Sequence, residues 1–127
     1  MCNFTDEIDN DEFLYRGVVE NNWSDRHQRP ASSTFSDSGG CSVDRDISRD
    51  QEECVEFMNG RLPQLKAIVK IQTSTCRALN TYPEYDPQAD NQYHSLIKQN
   101  QLEIVIVSKS TLRKLRERSE IVFQTMI

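Results

Sequence analysis

The side chains able to do chemistry concentrate between Phe13 and Asp46. Arg16 stands inside an otherwise apolar run, Phe13-Leu14-Tyr15-Arg16-Gly17-Val18-Val19. Arg29-Pro30-Ala31 then leads into the hydroxyl-rich Ser32-Ser33-Thr34, and Ser42-Val43-Asp44-Arg45-Asp46 closes the stretch. A guanidinium cannot be neutralised inside a protein, so Arg16 on a half-buried strand needs carboxylate, phosphate or carbonyl partners in fork geometry. Two uses meet that need: anchoring an anionic ligand, and a structural ion pair with Asp44 or Asp46. Ser32, Ser33, Thr34, Ser42, Asp44 and the later His94 supply the residue types for nucleophile, base and orienting acid, without a G-x-S-x-G elbow. Hydroxyls after a proline serve equally well to satisfy backbone groups in a turn. His94, between Tyr93 and Ser95, also suits a hydrogen-bonded strand histidine. His27, His94 and the scattered Cys2, Cys41, Cys54 and Cys76 have no ligand spacing, so no metal site and no disulfide framework is expected.

The elements that must hold these residues belong to one domain, since 127 residues is a usual size for a single core. The hydrophobic fraction of 36% and mean hydropathy of -0.69 imply a modest core with sizeable loops. Residues 1–12 carry five carboxylates and few apolar groups, so they read as a flexible acidic arm ahead of a domain over 13–127. A net charge of -5 argues against nucleic-acid binding driven by bulk electrostatics. The charge is uneven, however, with Lys109, Arg113, Lys114, Arg116 and Arg118 gathered near the C-terminus. No apolar run reaches the roughly 18–20 residues of a membrane span, and the acidic start is unlike a signal peptide. The expectation is a cytoplasmic protein with reduced thiols and no membrane contact.

Phe13 to Val19 reads as the first strand, with Leu14, Arg16 and Val18 on one face. Asn21 to Ala31 reads as a polar loop pinned by Trp23, Ser32 to Phe35 as a short extended piece, and Cys41 to Asp46 as a second strand. Ser48-Arg49-Asp50-Gln51 has the capping-box form, with Gly60 suited to close the helix and Pro63 beyond it. Leu65 to Thr73 alternates as a half-buried strand, and Thr75 to Leu79 suits one helical turn. Thr81 to Asn91 reads as loop or sheet edge, and Tyr93 to Lys98 as a strand. Leu102 to Val107, the most apolar run, predicts a buried central strand, and Ser110 a cap for a last helix reaching Phe123. The sum is an α+β domain: a mixed or antiparallel sheet of four to six short strands with two helices packed on it.

In order, Leu14-Tyr15-Arg16, Arg29-Pro30-Ala31-Ser32-Ser33-Thr34-Phe35, Ser42-Val43-Asp44-Arg45 and His94 resemble a group of small, uncharacterised bacterial proteins with an lyR, RPsSxxF, SVDr and late-histidine pattern. The resemblance implies a bacterial or phage origin and a site near Arg16, Ser33, Asp44 and His94. Tyr15-Arg16-Gly17, Ser33-Thr34 and Gln101-Leu102-Glu103 are also similar to NAD-dependent ADP-ribosyltransferases. That likeness implies Arg16 on the cofactor phosphates, Ser33 or Thr34 near the nicotinamide, and Glu103 at the ribose. Two function classes follow. One is a binding or interaction domain, within a toxin, immunity or defence system, that uses Trp23, Arg29, Ser32 and Thr34 as contacts and takes a protein partner rather than nucleic acid, or a second copy of itself. The other is an ADP-ribosyltransferase-like enzyme using NAD.

Overall fold

In a computed structural model, which describes residues 5–125, β-branched and aromatic runs form the strands. In chain order the strands and helices are β1 (Phe13–Val18), β2 (Trp23–Ser24), β3 (Arg29–Pro30), β4 (Cys41–Arg45), α1 (Gln51–Arg61), β5 (Ala67–Gln72), α2 (Thr73–Ala78), β6 (Tyr82–Tyr85), β7 (His94–Lys98), α3 (Lys109–Arg118) and β8 (Glu120–Gln124). Six strands make one antiparallel sheet in the order β6-β7-β4-β1-β5-β8, and β2 pairs with β3 in a small ribbon. The fold is therefore a single small α+β domain with three helices.

Side chains alternate across β1, and each face has its own cover. Leu14 and Val18 join Val43, Val69, Ile71 and Ile97 in the larger core, closed by Phe35, Trp23 and the Leu112 and Leu115 stripe of α3. Tyr15 and Ile68 meet Cys54, Met58 and Leu65 on the other face, beneath α1. Arg45 lies on the larger-core side, opposite Leu14, and is 1% exposed. Its Nε and Nη2 donate to the two carboxylate oxygens of Glu12 at 2.8 and 2.7 Å, and its Nη1 donates to the Thr5 carbonyl at 2.7 Å.

Several expectations change on folding. Residues 5–12 do not hang free: Ile8 is buried in the core, and Glu12 and the carbonyls of Thr5 and Glu7 wrap the Arg45 guanidinium. Residues 1–4 of the expected arm lie outside the described residues. Leu102 to Val107 forms no strand. Strand β7 is already paired on both sides, so the sheet has no central slot for the run, and Asn100 Oδ1 turns the chain by accepting from the amides of Leu102 and Glu103. Only Ile106 of that run is buried, while Leu102 is 90% exposed.

The helix boundaries move as well. Asp50 caps α1 in place of Ser48, in a reciprocal box with Glu53, and α1 runs through Gly60 to Arg61. Ser108 caps α3, which stops at Arg118 because Glu120–Gln124 is drawn into strand pairing with β5. Ser32–Phe35 is a 3-10 turn, with Thr34 N–H donating to the Ala31 carbonyl.

Candidate functional site

The ladder between β1 and β4 has two residue pairs, Leu14↔Arg45 and Tyr15↔Asp44. Carried further, that register would set Gly17 against Ser42. The strands part instead, and Arg16 fills the split. Its Nη1 donates to the Ser42 carbonyl at 2.8 Å and its Nε to the Thr34 carbonyl at 2.9 Å. Its Nη2 has a distant ion pair, 3.8 Å from the half-exposed Asp37 carboxylate. The expected pairing of Arg16 with Asp44 or Asp46 is thus replaced: carbonyls hold the guanidinium, and Asp37 is its carboxylate neighbour. Asp46 instead accepts from the Phe13 amide, and burial raises its pKa.

A cleft of about 410 Å³ opens at this split, between the sheet and the end of α1. Ser42, Asp44 and His94 project into it from one face, because β4 and β7 pair Asp44 with His94 and Ser42 lies two residues from Asp44. Buried Asp44 accepts from Asn91 Nδ2 at 2.7 Å and from Arg61 Nη2 at 3.2 Å. Arg61 also lines the cleft, and its Nε is one of two buried polar side-chain atoms without a hydrogen-bond partner among the described residues, the other being Arg116 Nε. Gly17 forms part of the wall; a methyl group there would come 2.8 Å from a Leu65 methyl.

His94 connects two groups. Its Nδ1 lies 2.9 Å from the Asp86 carbonyl and 3.2 Å from Asp86 Oδ2, and its Nε2 lies 3.1 Å from Ser42 Oγ. A carbonyl only accepts, so Nδ1 carries the hydrogen, and in the neutral ring Nε2 presents its lone pair to the Ser42 hydroxyl. The arrangement is a hydroxyl beside an imidazole whose far nitrogen is held by the Asp86 carbonyl with the Asp86 carboxylate close by, and a guanidinium bonded to the serine's own backbone.

Of the residues expected from sequence, Arg16, Asp44 and His94 share the cleft. Ser33 lies outside it, exposed, with its hydroxyl donating to Asn22 Oδ1 at 3.1 Å, and with Ser32 it borders a separate hollow beside α3. Glu103 is exposed and accepts from Asn100 Nδ2 at 2.8 Å; it does not line the cleft. Thr34 is fully buried, its hydroxyl donating to the Ala31 carbonyl. Trp23 is 9% exposed and belongs to the core, while Arg29 is exposed beside Pro30 and Arg116.

Sequence reasoning had no grip on Arg61, Asp37 or Asp86. A helix-terminal arginine has no local signature. The β6–β7 hairpin register, Tyr85↔Ser95, is what puts Asp86 opposite His94. Beside the cleft, burial pushes the Cys41 thiol up to about 11 despite the nearby Arg16 charge. A larger hollow, about 590 Å³, lies between Glu20 and Lys66, which pair with each other at 3.4 Å, and among the described residues it gathers no further charged groups. Among the described residues no group of three His, Cys, Asp or Glu side chains is placed to hold a metal ion, and no helix is long and apolar enough to cross a membrane. Compared with protein-family models, curated proteins and solved structures, the chain has no significant match.

Proposed function

We propose that the protein binds a small anionic ligand, carrying a carboxylate or phosphate group, in the cleft between β1 and β4. The observation that carries this reading is that Arg61, whose buried Nε–H has no partner among the described residues, and Arg16, whose Nη2 is only loosely paired, line one cleft. A buried donor left unsatisfied costs about 1–3 kcal/mol, so an acceptor at that point is strongly favoured. Two guanidiniums offer the forked donors that suit planar or tetrahedral anions. Asp44 holds one of them in place and Ser42 and Thr34 carbonyls the other, so little ordering remains to be done on binding.

The test is calorimetric titration with inorganic phosphate and with succinate at constant ionic strength, on the wild type and on Arg61→Lys. The lysine keeps a charge for Asp44 but removes the Nε–H, so affinity is expected to fall at least tenfold with the melting temperature little changed. Equal affinity in both proteins, or no binding of either anion by the wild type, refutes the reading. Titration with NAD in the same series tests the ADP-ribosyltransferase alternative, which has less support because Glu103 and Ser33 do not line the cleft.

A protein partner is the second reading. Leu102 and Val107, 90% and 73% exposed, and Ile104 form an apolar loop far more open to a partner than the Trp23 ribbon. On this reading the protein is an interaction domain, and the expectation of a bacterial or phage protein of the cytosol, of the kind used in toxin, immunity or defence systems, goes with it. Sedimentation of the wild type beside Leu102→Ser/Val107→Ser tests self-association through that loop: a dimer lost in the variant supports it, and a monomer in both leaves no role for a second copy.

A further inference from the structure

The cleft contains more than anion donors. The Ser42 hydroxyl stands 3.1 Å from His94 Nε2, while Nδ1 of the same ring donates to the Asp86 backbone carbonyl at 2.9 Å with the Asp86 carboxylate 3.2 Å away, within or at the limit of the separations at which a base activates a hydroxyl nucleophile and is itself oriented by an acid. Ser42 is exposed to the cleft, whereas His94 is buried with Nδ1 committed to Asp86. Strand pairing fixes both partners: β4 pairs with β7 at Asp44↔His94, and the β6–β7 hairpin returns Asp86 to His94. None of the other hydroxyls considered has this company, since Ser33 bonds to Asn22 and Thr34 to a backbone carbonyl.

We infer that Ser42 is a nucleophile for acyl transfer to water, with His94 as general base and Asp86 as its positioning residue, acting on esters whose acyl part carries a negative charge. The choice of substrate rests on the anion-binding reading of Arg61 and Arg16. The steps balance without a further reactant. His94 Nε2 takes the Ser42 proton as Oγ bonds to the ester carbonyl carbon, and the negative charge passes to the carbonyl oxygen. The Arg16 guanidinium, whose Nη1 donates to the Ser42 carbonyl at 2.8 Å, and Arg61, on the same cleft, are the positive groups available to that charge. Collapse breaks the carbon–alkoxy bond, and the leaving alkoxide takes the proton from His94. Water, deprotonated by His94, then attacks the acyl-Ser42 ester; its carbon–Oγ bond breaks, the acid departs and Ser42 recovers its proton.

The decisive experiment is labelling of the whole chain with an uncharged alkyl fluorophosphonate, which displaces fluoride onto an activated serine, followed by intact mass and peptide mapping. One adduct on Ser42 is expected, absent in Ser42→Ala and retained in Ser33→Ala. His94→Gln, which preserves size and hydrogen bonding but cannot act as a base, is expected to slow labelling at least a hundredfold with its melting curve intact. Asp86→Asn should slow it also, and Asp86→Glu should restore most of the rate, a rescue that a merely structural contact would not give. No adduct on the folded wild type, an adduct on another residue, or labelling indifferent to His94→Gln overturns the inference. Hydrolysis of 4-nitrophenyl hemisuccinate against 4-nitrophenyl butyrate isolates the substrate class. A preference for the hemisuccinate that disappears in Arg61→Lys supports it. Equal rates on the two esters overturn the anionic substrate while leaving the Ser42 result standing on its own.

Discussion

Replacing Glu12 by Gln removes one charge from a pair that burial leaves no other way to satisfy. Arg45 is 1% exposed, and its Nε and Nη2 both point at the Glu12 carboxylate, at 2.8 and 2.7 Å. Among the described residues its remaining partners are the Thr5 and Glu7 carbonyls and the face of Tyr85, 4.7 Å from the guanidinium carbon, none of which carries a formal charge. In Glu12→Gln one amide nitrogen would face a guanidinium N–H, donor against donor. Breaking a buried pair by removing one partner costs about 3–5 kcal/mol, a large part of the roughly 5–15 kcal/mol that holds a domain together. With a urea slope of about 2 kcal/mol per molar, the unfolding midpoint should fall by about 1.5–2.5 M at unchanged slope. Glu12→Leu/Arg45→Met, which removes both charges, should lose much less than the sum of the single changes. A Glu12→Gln midpoint within about 0.3 M of wild type would refute the reasoning, because residues 5–12 would then behave as the loose arm their composition suggests.

Three further outcomes follow from the same geometry. Gly40 has a φ of +106°, and an added Cβ would lie 2.8 Å from an Ile104 methyl, so Gly40→Ala should cost about 1–3 kcal/mol in urea unfolding and Gly39→Ala distinctly less. Burial raises Cys41 and Cys54 to about 11 and Cys76 to about 12 from an ordinary 9.0. A raised folded value gives stability that is complete below pH 9 and is lost as pH climbs towards 11, because the unfolded chain releases those protons first. Unfolding free energy should therefore drop steeply between pH 9 and 11, and Cys41→Ala should reduce the drop measured at pH 10.5 by about 2 kcal/mol. Asp50→Ala deletes a two-way capping box and should destabilise by about 1 kcal/mol, while Ser48→Ala stays within about 0.5 kcal/mol; the reverse order would restore Ser48 as the cap.

What the sequence determined by itself is local. Alternating runs at Phe13–Val18 and Ala67–Gln72 specify strands, and the apolar spacing of Cys54 and Met58 specifies a helix, because neighbours along the chain supply the periodicity. Arg16, Asp44 and His94 stood out because polar groups within strands must find partners. Tertiary structure decided everything that depends on which strands become neighbours. Leu102–Val107 was the most apolar run, yet β4 and β6 occupy both edges of β7, so it was left outside the sheet. Glu120–Gln124 continued a helical pattern until the free edge of β5 offered hydrogen bonds that a further helical turn could not better. The acidic residues 5–12 became ordered because Arg45, from a strand 33 residues beyond Glu12, needed a carboxylate. Ser42, His94 and Asp86 lie 52 and 8 residues apart along the chain, and only the β4–β7–β6 registers bring them into line. A single strand's pattern carries its faces but not its partners, and the candidate site is made of partners.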